Sequence, residues 1–252
     1  MPQKVAGNNT NCLNCGTLIH GNYCSKCGQL TSTGQINFKE TISNFLSVAL
    51  AFDGPLWLTI RLLITNPGKF FREYISGKRK TYYKPVAFFI LTTAVYLIFR
   101  TLINFDPLTE ESVKNDLEEL NNVSTEIVEA FKLMSVNINK ILFLLVFSIA
   151  LSFKLFFRKK YNLAEYTSIA LFITGIYTMV KTITMFIGKF TEVEIDNIEL
   201  GILLILIFYS SLSLFQQKSL LSVVKYALVS IFSLILYLIF ALGFFFLIVL
   251  LK

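Results

Sequence analysis

Hydrophobic and polar positions divide the chain into a polar start, a stretch with short helical patterns and a series of long apolar runs. Residues 1–11 contain no apolar core, so we expect a disordered lead without a signal peptide. From Asn37 onwards, apolar residues recur at three- and four-residue spacing and predict an amphipathic helix. These apolar positions are Phe38, Ile42, Phe45, Leu46 and Ala49.

Two further short helices are predicted before the first long run. The segments LWLTIRLLIT (56–65) and KFFREYIS (69–76) are separated by NPG (66–68), and the second ends before Gly77. None of the three short helices reaches the roughly 20 apolar residues that cross a bilayer. We therefore expect them to lie in the membrane interface or to pack against spanning helices.

Five long apolar runs follow Lys84, and each is a candidate membrane span. A backbone in hydrocarbon must satisfy its hydrogen bonds within its own segment, so each run is expected to be a helix. A soluble helical bundle would need polar faces, which the first, second and fifth runs lack. The predicted fold class is therefore an all-α membrane protein with about five transmembrane helices. The runs are 85–105, 141–157, 163–188, 200–215 and 226–251.

Composition agrees with a membrane protein and argues against an enzyme. Hydrophobic residues make up 54% of the 252 residues and charged residues only 15%, with a mean hydropathy of +0.63. Soluble domains are about 45–50% apolar and about 25% charged. The chain has a single His and contains neither an HExxH nor a GxSxG motif, so we expect no catalytic activity.

The charges of the loops predict the orientation in the membrane. Basic residues precede the first run and occupy the loops between runs two and three and between runs four and five. The alternate loops, 106–139 and 189–199, are mainly acidic. Because cytoplasmic loops carry the excess of Lys and Arg, the N-terminus is expected in the cytoplasm and the C-terminus outside.

The domain organisation follows from the same shifts in composition. After the lead, residues 12–28 form a cysteine module and 29–35 a polar linker. Residues 36–84 form cytoplasmic juxtamembrane helices, and 85–252 form the transmembrane domain, with the acidic outer loop at 106–139. The chain is thus a small cytoplasmic head followed by a membrane domain.

Four cysteines form two CxxC pairs that predict a metal site. Eight residues separate the pair Cys12 and Cys15 from the pair Cys24 and Cys27. Thiols stay reduced in the cytoplasm, and four thiolates suit a tetrahedral zinc ion without an open position for substrate. The predicted role of zinc is therefore structural. An iron–sulfur cluster is the alternative, and His20 is expected to be a loop residue.

A small zinc module of this kind commonly contacts nucleic acid or protein. Nucleic-acid binding would require a basic surface with aromatic residues, whereas residues 12–28 hold only Lys26 and Tyr23. A cytoplasmic protein partner, or docking onto the protein's own cytoplasmic face, is the preferred interpretation.

A basic segment, NPGKFFREYISGKRKTYYKP (66–85), directly precedes the first run. Its basic and aromatic residues accompany a single acid, Glu73. Clusters of this kind bind anionic lipids, with aromatic side chains at the level of the headgroups. The alternative is that the charges only set the topology. The candidate ligands of an anionic lipid or phosphate are Lys69, Arg72, Lys78, Arg79, Lys80 and Lys84.

Charged residues within the apolar runs are candidates for function. Arg100 and Lys154 lie near the ends of their runs, from which their side chains can reach the interface. Lys181 lies deeper, in the most polar run (163–188). It is a candidate intramembrane polar site that lines a path or pairs with an acid of the outer loops. A structural lysine that reaches the interface is the alternative.

The cysteine module followed by the basic segment resembles a family of uncharacterised bacterial inner-membrane proteins with an N-terminal zinc ribbon. The similarity covers roughly residues 12–90, through CxxCG, YCxxCGQ, DG and PGKFFREYISGKRKTYYKP. It implies a zinc-bearing polytopic protein of the bacterial cytoplasmic membrane and no particular activity. The motif positions carried onto this chain are Cys12, Cys15, Cys24, Cys27, Asp53, Gly54, Pro67, Gly68, Lys69, Arg72, Glu73, Tyr74, Gly77, Lys78, Arg79 and Pro85.

Three functional hypotheses follow from the sequence. The leading one is a non-enzymatic membrane scaffold or regulator whose zinc module engages a cytoplasmic protein partner. The second is a small transporter or channel with a polar path along 163–188 through Lys181. The third, and least favoured, is a lipid-modifying membrane enzyme that uses Asp53 and Glu73.

Overall fold

A computed structural model describes residues 11–31, 54–103, 125–191 and 196–251. Within these ranges the chain is all-α apart from two isolated β-bridges in the cysteine module, which confirms the predicted fold class at that level. Eight α-helices are present in the described ranges, together with one 3₁₀ turn. The helices are α1 (Gly54–Thr65), α2 (Pro67–Ile75), α3 (Pro85–Ile103), α4 (Thr125–Asn137), α5 (Leu142–Phe156), α6 (Leu163–Thr191), α7 (Asp196–Phe215) and α8 (Leu220–Leu250).

Several predicted features lie outside the described residues. They are the lead up to residue 10, the amphipathic helix predicted from Asn37, Asp53 of the enzyme hypothesis, and positions 104–124 of the acidic outer loop. The predictions made for these segments therefore stay predictions.

Three of the described helices, α3, α6 and α8, are long and apolar enough to cross a membrane. Helices α4 and α5 meet at an angle of 97° and add a fourth candidate if the bent pair forms one span. The apolar part of α7, Glu199–Phe215, is shorter than these spans. The described residues therefore contain three or four candidate spans, as expected for a multi-pass membrane protein.

Helix α8 begins earlier than the apolar run that predicted it. The run was expected to start at residue 226, whereas α8 starts at Leu220. Ser219 caps this end, because its Oγ accepts a hydrogen bond from the amide of Ser222 at 3.3 Å. The cap therefore starts the helix six residues before the predicted run, across the segment LLSVVK (220–225).

Helix α4 lies within the stretch predicted as an acidic outer loop, and no helix was expected there. Ala130 and Met134 of α4 belong to one buried cluster with Ala241 and Phe245 of α8. The polarity of α4 is mixed, so burial against α8, rather than its own pattern, stabilises it.

Ring contacts show that α3 and α6 run in the same direction. Phe88 near the start of α3 lies 5.6 Å, centroid to centroid, from Phe172 of α6, and Phe99 near its end lies 5.3 Å from Phe186. Gly175 permits this close approach, because a Cβ there would lie 2.5 Å from Cδ1 of Phe88. The two helices therefore pack side by side with parallel axes.

Helix α5 runs antiparallel to α8. Phe156 near the end of α5 contacts Phe232 at 5.6 Å, and Phe147 contacts Phe240 at 6.0 Å, so the contacts follow opposite orders along the two helices. The short turn at 157–162 then returns the chain into α6. The ends of α5, α7 and the starts of α6 and α8 consequently meet at one end of the bundle, next to α2.

Candidate metal centre and its contact with the basic segment

In the structure the cysteine module extends beyond the predicted 12–28, to Asn11 and Leu30, because both residues form β-bridges with it. It is built from two copies of one turn, NCLNCGTL (11–18) and YCSKCGQL (23–30). In each copy the amide of the glycine that follows the second cysteine donates to the carbonyl of the first cysteine at 2.8 Å. Gly16 and Gly28 have φ values of 74° and 68°, in the left-handed region that glycine adopts without strain. The repeated turn brings the two cysteines of each pair to the same side of the backbone.

The four sulfur atoms lie in one cluster. All four Sγ atoms lie within 4.8 Å of one another. The Cys12–Cys27 and Cys15–Cys24 separations are 3.7 and 3.6 Å. A tetrahedral zinc ion with bonds of about 2.3 Å sets its thiolates about 3.8 Å apart. The donor set fits zinc, the two shortest separations match a tetrahedral site, and the structure brings together all four predicted ligands.

The thiols differ in how readily they ionise. Hydrogen bonds from the side chain and the backbone of Thr17 lower the pKa of Cys15 to about 6. Burial raises the pKa of the Cys27 thiol to about 11. Because metal ligation requires thiolates, metal binding at this site competes with protons and should weaken as the pH falls. His20 is exposed, as predicted, and is not part of the cluster.

The cysteine module is docked on the basic segment. The Gln29 amide donates to the carbonyl of Gly77 at 2.6 Å, and the amide of Lys80 donates to Gln29 Oε1 at 3.4 Å. The Asn14 side chain accepts hydrogen bonds from the backbone amide of Thr81 at 3.1 Å and from the Thr81 hydroxyl. Each turn of the module therefore supplies one side chain that binds the loop directly ahead of α3.

The aromatic residues of the basic segment are buried within the protein. Phe70 is fully buried and its ring lies 4.7 Å from that of Phe172 in α6. These side chains therefore pack inside the protein, and their depth at the level of the headgroups stays a prediction. The packing arises because Phe172 of α6 presents its ring to both Phe70 and Tyr74 of α2. The five buried aromatic residues are Phe70, Phe71, Tyr74, Tyr82 and Tyr83.

Helix α2 crosses the end of α7 at very close range. A Cβ on Gly68 would lie 1.9 Å from the carbonyl oxygen of Ser213, so only glycine fits there. Arg72 donates through Nη1 to the carbonyl oxygens of Ser213 at 2.6 Å and Leu214 at 3.0 Å. These carbonyls belong to the last turn of α7, where a cation is favoured by the helix dipole. Arg72 therefore joins α2 to α7.

Other charged residues of the basic segment also have partners in the protein. Lys78 Nζ lies 3.2 Å from Glu73 Oε2, and the Tyr82 hydroxyl donates to the same carboxylate. The hydrogen bond from Tyr82, followed by Lys78, lowers the pKa of Glu73 below its ordinary value. Lys69 and Lys80 are exposed. The predicted lipid site thus retains exposed cations, and its ligand role stays a prediction.

Lys181 is buried beside Glu199 of α7, which belongs to the acidic stretch at 189–199. Its Nζ lies 2.7 Å from Glu199 Oε2, and Glu199 Oε1 accepts a hydrogen bond from Thr184 at 3.2 Å. The same ammonium group lies 5.4 and 5.6 Å from the ring centroids of Tyr96 and Tyr177. The sequence left open a polar path, a pair with an acid and a lysine that reaches the interface. In the structure Lys181 is paired with an acid. Sequence reasoning included Glu199 among the outer acids but could not select it.

Two other charged residues support helix ends. Lys154 donates to the carbonyls of Arg158 and Tyr161, each at 3.1 Å, so its side chain reaches the end of its helix as predicted. Glu165 accepts from the amide of Asn162 at 2.7 Å, and Asn162 Oδ1 accepts from the amide of Glu165 at 2.8 Å. This reciprocal pair is a capping box at the start of α6.

Comparison with protein families places part of the chain beside a family of unknown function. A family model described as a protein of unknown function (DUF3667) matches residues 53–97, which include α1, α2, the loop bound by the cysteine module and the start of α3. This range overlaps the part of the chain that carried the resemblance noted above but excludes the cysteines. No curated protein and no solved structure matches the chain.

Proposed function

We propose that the chain is a non-enzymatic, multi-pass protein of a bacterial cytoplasmic membrane, in which a zinc-holding module presents a surface for a cytoplasmic protein partner. The observation that carries this proposal is the contact of Asn14 and Gln29 with the loop at 77–81, which leads directly into α3. A partner bound to the module would therefore be connected to the start of α3 through these hydrogen bonds as well as through the polypeptide chain.

Zinc is the proposed metal because the four sulfurs have the spacing of a closed tetrahedral site. A module this short has almost no core, so metal binding would supply most of its folding energy. Metal analysis of the purified protein should give one zinc ion per chain. Iron with visible charge-transfer absorption would contradict zinc in favour of an iron–sulfur cluster.

Five crossings, with the N-terminus in the cytoplasm and the C-terminus outside, form the proposed topology. Parallel α3 and α6, the reversal at 157–162 and the antiparallel pairing of α5 with α8 support an alternation of direction. The alternating charge of the loops supports the same orientation. In a cysteine-free background, an impermeant maleimide should label Leu251→Cys in intact cells and Ser219→Cys only after lysis. The reverse pattern would contradict this topology.

The partner surface is proposed on the module itself. Leu18, Tyr23 and Leu30 are exposed beside the two β-bridges, Asn11–Leu18 and Tyr23–Leu30. Exposed apolar side chains on a rigid, metal-fixed turn are suited to a protein contact.

Affinity purification in mild detergent tests recruitment. Cys24→Ser should remove the partner together with the metal, and Leu18→Ser/Tyr23→Ser should remove the partner while the metal stays bound. Asn11→Ala serves as a surface control that keeps both. An unchanged set of co-purified proteins in Cys24→Ser and in Leu18→Ser/Tyr23→Ser would contradict recruitment by the module.

Transport along α6 is a second candidate function, and the buried Lys181–Glu199 pair is the observation that favours it. Ionisable groups within a spanning segment often serve ion or proton pathways. Flux through reconstituted vesicles that disappears in Lys181→Ala, while the protein stays folded, would favour transport over a scaffold.

A further inference from the structure

Two aromatic rings at the end of the bundle next to α2 contact one lysine from the turn at 157–162 and one from the second turn of helix α8. Phe157, after α5, and Phe215, at the end of α7, stack with their centroids 4.0 Å apart. Lys225 Nζ lies 4.6 Å from the centroid of Phe157, and Lys160 Nζ lies 5.7 Å from that of Phe215. Both distances fall within the range of a cation–π contact. One ring pair therefore gathers ammonium groups that the sequence separates widely.

The turn that contains Lys160 and the turn that precedes α8 are both held by hydrogen bonds. The Tyr166 hydroxyl donates to the carbonyl of Phe157 at 2.8 Å, and Lys154 donates to the carbonyl of Arg158 in the same turn. The Tyr226 hydroxyl donates to the carbonyl of Gln217 at 3.3 Å, in the turn between α7 and α8. The positions of the lysines are consequently preorganised, which lowers the entropic cost of binding an anion.

The local charge is strongly positive. Besides Lys160 in the turn and Lys225 in α8, the connections at 157–162 and 216–219 contain Arg158, Lys159 and Lys218, and no acid occurs at 157–164 or 216–251. The partial negative charge at the end of α7 is already satisfied by Arg72. The first acid after the 157–162 turn, Glu165, is buried and accepts a hydrogen bond from the amide of Asn162 at 2.7 Å. An anion at the surface would therefore meet exposed cations, namely Arg158, Lys159, Lys160 and Lys218.

Apolar side chains adjoin the cations. Leu220 and Leu221, in the first turn of α8, are 80% and 84% exposed. Ser219 separates them from Lys218, and Leu221 lies one helical turn before Lys225 on the same face of α8. Exposed apolar groups of this kind suit acyl chains better than water. An amphiphile satisfies both features, whereas a soluble phosphate would satisfy only the lysines.

We propose that Lys160 and Lys225, gathered by the Phe157–Phe215 ring pair, bind the headgroup of an anionic phospholipid whose acyl chains lie along Leu220 and Leu221. This site is separate from the basic segment at 66–85. The proposal rests on the topology proposed above, which puts the two turns on the cytoplasmic face.

Lipid retention by the purified full-length protein tests the site. The protein is reconstituted in nanodiscs of equal phosphatidylglycerol and phosphatidylcholine, re-extracted in detergent, and its bound lipids are counted by native mass spectrometry. We expect preferential retention of phosphatidylglycerol. Lys160→Ala/Lys225→Ala should reduce that preference by up to about thirtyfold, since each basic residue near a headgroup contributes about fivefold. Lys160→Arg/Lys225→Arg should retain it.

Matched variants decide between explanations. Lys140→Ala/Lys189→Ala removes the same charge at residues assigned to the outer side and should leave the preference unchanged. An equal loss there, or an unchanged preference in Lys160→Ala/Lys225→Ala, would overturn the proposal. A loss confined to Lys69→Ala/Lys80→Ala would move the site to the basic segment and also overturn it. Finally, the proposal would be overturned if inorganic phosphate alone stabilised the lipid-free protein as much as phosphatidylglycerol does.

The topology can fail separately from the lipid site. A reversed maleimide pattern at Leu251→Cys and Ser219→Cys would remove the premise shared by both proposals. Unchanged lipid preference in a protein with the expected labelling pattern would overturn only the lipid site.

Discussion

At the scale of single residues, the crossing of α2 and α7 depends on Gly68, which has no side chain, and on the long side chain of Arg72. Gly68 allows the backbones to meet, and Arg72 then reaches the last carbonyls of α7. Neither role is visible from the local sequence, in which PGK suggests only a turn and Arg72 only a surface charge. Both residues lie in the range that matches the family model.

Gly68→Ala should destabilise the protein, because the new Cβ would lie 1.9 Å from the carbonyl oxygen of Ser213. Backbone atoms cannot yield locally, so α2 must move away from α7, at a cost of about 1–3 kcal/mol or more. Thermal unfolding in detergent measures the loss. Gly201→Ala is the matched control, since a Cβ there meets nothing within 4 Å. Equal stability of the two variants would contradict the observed crossing.

The acid sensitivity of the basic segment should depend on Tyr82. The pKa of Glu73 is lowered in the folded state from its ordinary value of 4.5, first by the Tyr82 hydroxyl and then by Lys78. The resulting stabilisation is present above the pKa of the unfolded state and is lost as pH falls through the lower pKa of the folded state. Tyr82→Phe raises the folded pKa towards 4.5, so it should remove much of this dependence on pH.

Unfolding midpoints measured from pH 3 to 7 follow this effect. The variant should be less stable than the parent near neutral pH, and the difference should shrink as Glu73 becomes protonated. Tyr83→Phe, one residue away, changes a buried tyrosine without touching Glu73 and should show no such convergence. If the unfolding midpoints of the parent and of Tyr82→Phe changed in parallel with pH, the Tyr82 hydroxyl would not be what lowers the pKa of Glu73.

At the scale of helices, a buried ion pair connects α6 with α7. Lys181 and Glu199 lie 2.7 Å apart, with side chains 6% and 18% exposed. Removal of one partner leaves the other charged and poorly solvated. Removing one partner of a buried ion pair commonly lowers the free energy of unfolding by about 3–5 kcal/mol, whereas replacing both partners lowers it much less.

Glu199→Gln and Lys181→Met should therefore each destabilise the protein more than the double variant does. Chemical unfolding in one detergent completes the double-mutant cycle, and Lys189→Met tests an exposed lysine of the same helix. Additive losses in the cycle would show that the two charges are not coupled. This comparison is independent of any flux measurement and so separates a structural pair from a transport site.

At the scale of the whole molecule, the metal centre and the membrane domain are predicted to be mechanically coupled. Asn14 and Gln29 lie next to the cysteine ligands and bind the loop at 77–81. If metal loss unfolds the module, these hydrogen bonds are lost and the loop before α3 becomes accessible. Chelation should therefore speed cleavage by trypsin after Lys78, Arg79 and Lys80.

Asn14→Ala/Gln29→Ala should reproduce this sensitivity while retaining the metal, and Leu13→Ala should behave as the parent protein. Mass spectrometry of the fragments identifies the cleavage sites, and circular dichroism reports whether the helices persist. Equal resistance of loaded and chelated protein would show that the loop does not depend on the module.

The sequence by itself determined the features that depend on local chemistry. CxxCG repeated twice specifies a turn that gathers four thiols, because the spacing and the glycine conformation are local properties. The apolar runs likewise determined where α3, α5, α6 and α7 lie, since helices satisfy the backbone in an apolar environment whatever their neighbours are. The mixed polarity of α4 gave no such signal, so its packing against α8 had to be observed.

Only the tertiary structure decided which residues meet across long sequence distances. It put Asn14 and Gln29 on the loop at 77–81, Arg72 on the end of α7, and Glu199 beside Lys181. It also buried aromatic residues that the sequence pattern assigned to the membrane interface. These partners are chosen by shape and charge complementarity between separate helices, and no periodicity or spacing within one segment encodes that choice.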